Sequence, residues 1–349
     1  MTAKTGGLRA GLLALTVALM ASTGIAHAEG ELNIYNWGNY TSPEMIKKFE
    51  DKYKVKVTIT DYDSNDTALA KVRQGGSGFD MVVPSQNYLP IWISEGLLLE
   101  TDPGKMENAK NIAPEWANPD FDPGRKYSVP WAMGIVGVVV NTSAYQGDIN
   151  TWGIIFNTPP ELKGKVNVVP EMTDVIDAAV LYNGGKKCTG DREILKKVRD
   201  TLLKAKPDWV AMEYGTIEKM GSGDIMASSD WNGSAFRQRL ANPKVKFGYP
   251  KEGYVNWSDN LVVLKDAKNV ENAKLFQNFM MDPENAGMNS AFHRYANGIA
   301  GSEAFMPADM KDAPEIKIPD EFKSVGVPSQ TCPPDVQALY TKIWTELQK

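Results

Sequence analysis

Between residues 31 and 85 the chain runs through five elements of alternating type, and this narrows its fold more than any other feature. "ELNIYNW" reads as a strand, and "SPEMIKKFEDKY" as a helix with Met45, Ile46 and Phe49 on one side. In that helix Ser42 is placed as N-cap and Pro43 in the first turn. "KVKVTITDY" alternates as a strand, and "NDTALAKVRQGG" predicts a second helix capped by Asn65 and closed by Gly75. "FDMVVPS" has the unbroken apolar run of a buried parallel strand. Such βαβαβ order implies a parallel α/β sheet, and these sheets bind ligands beyond the carboxyl ends of their strands. Trp37 and Ser85 stand at two of those ends.

"GIVGVVVNTSAY" (134–145) predicts a further apolar strand, and a second α/β unit starts near "KGKVNVVPEMTD". It holds the helix "DREILKKVRDTLLKAK" and reaches "VNWSDNLVVL"; helices return around 268–281 and 283–293. No 20–50-residue repeat is visible, which removes solenoids and propellers.

Residues 1–28 read as a secretory leader: Lys4 and Arg9, the apolar "LLALTVALMASTGIA", then "AHA" at 26–28. The expectation is a soluble protein exported to a Gram-negative periplasm. Without the leader, 321 residues remain, which predicts two domains. The formal charge moves from −5 to −7, which argues against a nucleic-acid partner. Cys188 and Cys332 are an even pair in an oxidising compartment. They could form one disulfide or remain two buried thiols.

Much chemistry is absent. His27 leaves with the leader, so His293 is the one mature histidine. A His-based metal cluster is excluded, and a Ser-His-Asp triad would need His293. No P-loop occurs, since "GGSG" at 75–78 lacks the lysine. No cofactor or metal is expected. Two carboxylates could still serve a secreted glycosidase.

Three of the nine tryptophans have small polar neighbours: Trp37 in "NWGNY", Trp231 in "SDWNG" and Trp257 in "VNWSDN". In an extended segment Trp257 and Asp259 share a face, placing a ring beside a carboxylate. An aromatic face attracts cations and the acid adds a charge-assisted hydrogen bond, so the pair suits an ammonium group. The alternative is Trp257 packed inward with Asp259 in solvent.

The stretches "YNWGNYTSPEMIKKFE", "VKVTITDYDSNDTALAKV", "GFDMVVPSQNYL", "YSVPWAMGIVGVVVN", "DWNGSAF", "YPKEGYVNWSDNLVV" and "HRYAN" resemble the periplasmic polyamine-binding proteins of ABC importers. The match runs in order over nearly all of the mature chain. It implies a two-lobed, type II periplasmic binding protein of α/β class, each lobe a central β-sheet flanked by helices, with the ligand cleft at the hinge. The implied lobes are 29–140 plus 260–304 and 141–259 plus 305–349. The implied partners are a polyamine (putrescine or spermidine) and an inner-membrane ABC permease, with the receptor a monomer and not an enzyme.

Carried onto this chain, the resemblance implies cleft walls at Trp37, Tyr40, Trp231, Trp257 and Tyr295, and a strand-end hydroxyl at Ser85. It implies amine-binding acids at Glu171, Asp174 and Asp259, and a polar contact at Gln330. Asn39 stands where the family usually has an acid, and Asn87 where the spermidine receptor has an aromatic. One end of the cleft is therefore expected to be less anionic and more open. Asp230, just before Trp231, could compensate for the missing acid or face solvent, and solvent is the expectation. A receptor of the same fold for another amine, such as γ-aminobutyrate, is the rival; Arg237 would then hold the carboxylate.

Overall fold

A computed structural model describes residues 1–3 and 30–349. The leader expected at 1–28 lies outside the described residues, apart from its first three. The first half of the chain builds β1 (Gly30–Trp37), α1 (Pro43–Tyr53), β2 (Val55–Tyr62), α2 (Asn65–Arg73), β3 (Met81–Val82), α3 (Leu89–Ser94) and β4 (Ser128–Asn141). Next come α4 (Gly153–Phe156), β5 (Val166–Val168), α5 (Met172–Tyr182), α6 (Arg192–Ala205), β6 (Trp209–Met212), α7 (Thr216–Ser222), β7 (Ala227–Trp231), α8 (Asn232–Ala241) and β8 (Val245–Gly248). The chain ends with β9 (Tyr254–Val263), α9 (Val270–Met280), α10 (Pro283–His293), β10 (Gly326–Pro328) and α11 (Pro334–Leu347).

The strands follow the order β2-β1-β3-β9-β4-β7-β5-β6. β1 pairs in parallel with β2 and β3, and β5 in parallel with β6 and β7. Antiparallel β4 and β9 join these two groups. Ser128–Ile135 of β4 pairs with β9, whereas Val136–Asn141 pairs with β7 and β8. One strand therefore serves both groups, and the chain crosses between them in several places. Helices cover the sheets, as buried parallel strands require. Trp92, Trp131 and Trp152 are at most 2% exposed and belong to the core.

Two details differ from the sequence reading. Ser64, not Asn65, caps α2: its side chain accepts the Thr67 N–H at 3.2 Å. Asn65 is the first helical residue, and its side chain is free to work elsewhere. The "FDMVVPS" strand pairs regularly only over Met81–Val82, plus an isolated bridge between Ser85 and Asp259. The Val83 carbonyl instead accepts the Trp37 indole N–H at 3.0 Å and the Tyr62 hydroxyl at 2.5 Å. Pro84 has no N–H to offer a ladder. The strand therefore ends early and delivers Ser85 to the cleft.

Cys188 and Cys332 are joined in a disulfide with Cα atoms 5.1 Å apart, and the bridge closes a 144-residue separation. It holds the segment before α11 to the one before α6. Loop-closure entropy assigns such a crosslink about 2–5 kcal/mol. The Cys188→Ala/Cys332→Ala double variant is expected to lose that much in urea unfolding, with the wild-type spectrum retained at zero denaturant.

Candidate functional site

Between the two strand groups lies a cleft of about 860 Å³. Several of its walls are the carboxyl end of a strand or the start of a helix. Trp37 ends β1, Ser85 follows β3, and Glu171 and Asp174 open α5. Trp231 ends β7 and leads into α8. Trp257 and Asp259 sit in β9, and Tyr295 just beyond α10.

Asp259 is a buried acid, 5% exposed. Its Oδ2 accepts the Tyr40 hydroxyl at 2.8 Å and its Oδ1 accepts the Ser85 hydroxyl at 2.6 Å. Among the described residues it has no cationic partner. Burial pushes its pKa up from 3.8 to about 7, the two hydroxyls pull it down, and Asp174 adds repulsion. Ser85 is held in turn by Asn65, which donates to its Oγ and accepts its backbone N–H, both at 3.0 Å.

Asp174 is half-buried and accepts the Trp231 indole N–H at 2.8 Å. Burial raises it to about 7, opposed by that hydrogen bond. Glu171, 2% exposed, reaches the other strand group. Its Oε2 accepts the Asn65 backbone N–H at 3.0 Å, at the start of α2, and its Oε1 accepts the Thr173 hydroxyl at 3.1 Å. Burial and the nearby Asp174 hold it well above the usual carboxylate range. Asn87 completes this wall, its side chain 3.5 Å from Thr173 Oγ1.

The aromatic walls are built by close approach. Trp37 lies 6.2 Å from Trp231 and 6.3 Å from Tyr214, ring centroid to centroid. Trp257 packs edge-on to Tyr295 at 5.1 Å, and Tyr295 edge-on to Tyr40 at 5.6 Å. Glycine makes two of these contacts possible. A Cβ on Gly134 would lie 2.6 Å from the Trp257 ring, and one on Gly233 would lie 2.5 Å from the Tyr295 ring. His293 lies 5.0 Å from Tyr40. Its Nδ1 accepts the Tyr295 N–H at 3.0 Å, and burial lowers its pKa to about 3, so the imidazole is neutral.

The cleft thus gathers Trp37, Asn39, Tyr40, Ser85, Glu171, Asp174, Trp231, Trp257, Asp259 and Tyr295. Gln330 is not among the lining residues: it is exposed, and the buried Ser329 takes the wall position. Asp230 is not in solvent but 1% exposed. It accepts from the Thr216 hydroxyl at 2.5 Å, the Gln238 amide at 2.7 Å and the Trp231 N–H at 2.8 Å. The end near Asn39 is less open than expected. Arg237 spans it, donating to the Asn39 carbonyl and to Asn39 Oδ1, each at 3.0 Å. The Tyr214 hydroxyl donates to the Gly38 carbonyl at 2.9 Å alongside. Tyr214 carries no motif in the sequence: it follows β6 in "MEYGT", where Gly215 has φ 84°.

Residues 44–318 match the family of bacterial extracellular solute-binding proteins. The chain belongs to that family. The putrescine-binding periplasmic protein of Pseudomonas aeruginosa (strain UCBPP-PA14) is 30% identical, over 97% of this chain and 97% of its own. The spermidine/putrescine-binding periplasmic protein of Salmonella typhimurium is 32% identical over 78% of this chain and 79% of its own. A solved chain from Listeria monocytogenes, provisionally named a spermidine/putrescine ABC transporter, superposes with a TM-score of 0.85 at 28% identity. The superposition covers 91% of this chain and 98% of that one. The architecture is that of a type II periplasmic binding protein. Among the described residues no helix is long and apolar enough to cross a membrane.

Five acids line the cleft of this solute-binding protein, against one arginine. A carboxyl whose folded pKa exceeds its unfolded value opposes folding once the unfolded chain ionises. Without ligand, stability should therefore fall as pH rises from about 4 to about 7 and level off above. For Asp259 the span is up to about 4 kcal/mol. Asp259→Asn should reduce this fall, read as a smaller loss of melting temperature between pH 5 and pH 8; an equal loss would place the carboxyl in water.

Proposed function

We propose that this chain is a periplasmic receptor that captures a linear polyamine, putrescine or spermidine, and delivers it to an inner-membrane ABC permease. The observation that carries the reading is Asp259: a buried carboxylate ringed by aromatic faces and hydroxyl donors, with no protein cation beside it. A bare buried charge is costly, and an entering ammonium removes that cost. Trp37, Trp231, Trp257, Tyr40 and Tyr295 would sandwich the methylene chain, and the faces of these rings favour cations. Asp174 provides a second carboxylate, and Ser85, Asn39 and Glu171 shape the walls. The receptor binds without turnover, acts as a monomer and is exported by its leader.

The lobes would comprise 29–140 plus 260–304 and 141–259 plus 305–349, with the ligand closing one on the other. The cross-cleft bonds run between these two groups and support the division, while β4 changes partners at Ile135/Val136, which would assign 136–140 to the second lobe. The names of the relatives at 30% identity or more favour a polyamine over other amines. A zwitterion such as γ-aminobutyrate remains the second reading because Arg237 lines the cleft.

Thermal unfolding against putrescine, cadaverine, spermidine, spermine, γ-aminobutyrate and a neutral sugar tests the reading. A ligand at 100 times its dissociation constant adds about 2.7 kcal/mol. Stabilisation by a polyamine, abolished in Asp259→Ala, is expected. Stabilisation by γ-aminobutyrate alone would transfer the argument to Arg237.

Binding should also release protons, because an ammonium favours the ionised forms of Asp259 and Asp174, which otherwise titrate near 7. Affinity is therefore expected to rise between pH 6 and pH 8, and calorimetry in buffers of different ionisation enthalpy should show proton release. A flat profile would mean that neither acid meets the ligand's charge.

A further inference from the structure

Each acid in the cleft has a fixed amount of free hydrogen-bonding capacity, and the partners already present show how much is left. Glu171 is occupied: one oxygen takes the N–H at the start of α2, and the other takes Thr173. Asp230 is occupied by Thr216, Gln238 and the Trp231 N–H. Glu218 is exposed at the rim, where water screens it. Asp259 meets only two neutral hydroxyls, and Asp174 only one indole N–H. Two carboxylates therefore remain for ligand cations.

The rim beyond them also carries a cation. Arg237 lines the cleft, its guanidinium lies 5.1 Å over the Phe292 ring, and it grips Asn39 from the opposite strand group. Among the described residues no carboxylate lies within ion-pair distance of it. The exposed Glu218 acts on it only from beyond that distance, so no contact ion pair neutralises it. Asn39, with φ 57°, brings an amide to this place and no charge.

We infer that the cleft selects a linear diamine over a triamine, and that Arg237 is the specificity-determining residue. The inference rests on the polyamine reading. Two ammonium groups pair with Asp259 and Asp174. A third finds no unoccupied buried acid, and at the rim it meets a fixed guanidinium. Like charges placed together reject a ligand more strongly than a missing contact does.

Calorimetric titration of putrescine and spermidine into the wild type, Arg237→Gln and Arg237→Lys tests this. Ligand-free melting curves would confirm that both variants fold. The wild type is expected to bind putrescine at least about tenfold more tightly than spermidine. Arg237→Gln should shrink that ratio about tenfold or more, by gain of spermidine affinity. Arg237→Lys, which keeps the charge but cannot hold both Asn39 oxygens with a planar fork, should retain the wild-type preference. Equal wild-type affinities, or a ratio unchanged in Arg237→Gln, would overturn the inference while leaving the polyamine reading in place. Loss of the preference in both variants would assign it to the rim contact and overturn the role given to charge. Failure of every amine to bind the wild type would remove the polyamine reading and this inference with it.

Discussion

The site depends on a carboxylate placed where a carboxylate is least comfortable. Asp259 sits in the strand that pairs with both β3 and β4, 5% exposed, with two hydroxyls and no cation. Removing an ion from water costs several kcal/mol even after relaxation. Hydroxyl donors recover only part of that, which is why the group holds its proton up to about 7. Two other buried acids are matched by cations. Asp177 is paired with Lys187, and Glu315 with Arg239 at 2.6 Å. Glu171 and Asp230 also lack a cation, but neutral donors fill both oxygens of Glu171 and three donors hold Asp230, whereas Asp259 meets two hydroxyls, and this marks it as a place for something from outside.

The surroundings of Asp259 follow from that requirement. Tyr40 and Ser85 must reach it, so α1 must start where Ser42 and Pro43 start it, and β3 must end where Pro84 ends it. Asn65 is available to hold Ser85 only because Ser64 takes over the capping of α2. Trp257 and Tyr295 reach their positions only because Gly134 and Gly233 have no Cβ to obstruct them. The stretches "AMGIV" and "DWNGS" are therefore conditions for the aromatic walls as much as the aromatic residues themselves.

The alternating elements of the first 85 residues were legible because periodicity and caps are local. So was the pairing of Trp257 with Asp259, because a strand puts i and i+2 on one face. What could not be read depends on partners far along the chain. Asp230 was expected in solvent, yet Thr216 and Gln238 enclose it from α7 and α8. Gln330 and Ser329 differ by one position, and in an extended segment one position reverses the direction of a side chain. Tyr214 and Arg237 act through the carbonyls of Gly38 and Asn39, about two hundred residues away, and backbone acceptors leave no mark in a sequence. The cysteine bridge needed the Cα separation that only the fold supplies.

Two sets of forces meet in the cleft, and on the proposed function their balance would let a cargo be reported by shape. Glu171 on the start of α2, Tyr214 on Gly38 and Arg237 on Asn39 are bonds across the cleft that need no ligand. Each contributes about 1 kcal/mol net, with more for the charged partner. Against them stand Asp259 and Asp174, which repel one another and lose water as the walls approach. A neutral molecule of the right length would fill the space and leave that opposition in place. A molecule carrying cations at both ends removes it, and only a difference in affinity between open and closed forms can shift their populations. The acids therefore do more than hold an amine. On the proposed function, they would also oppose closure of the empty cleft.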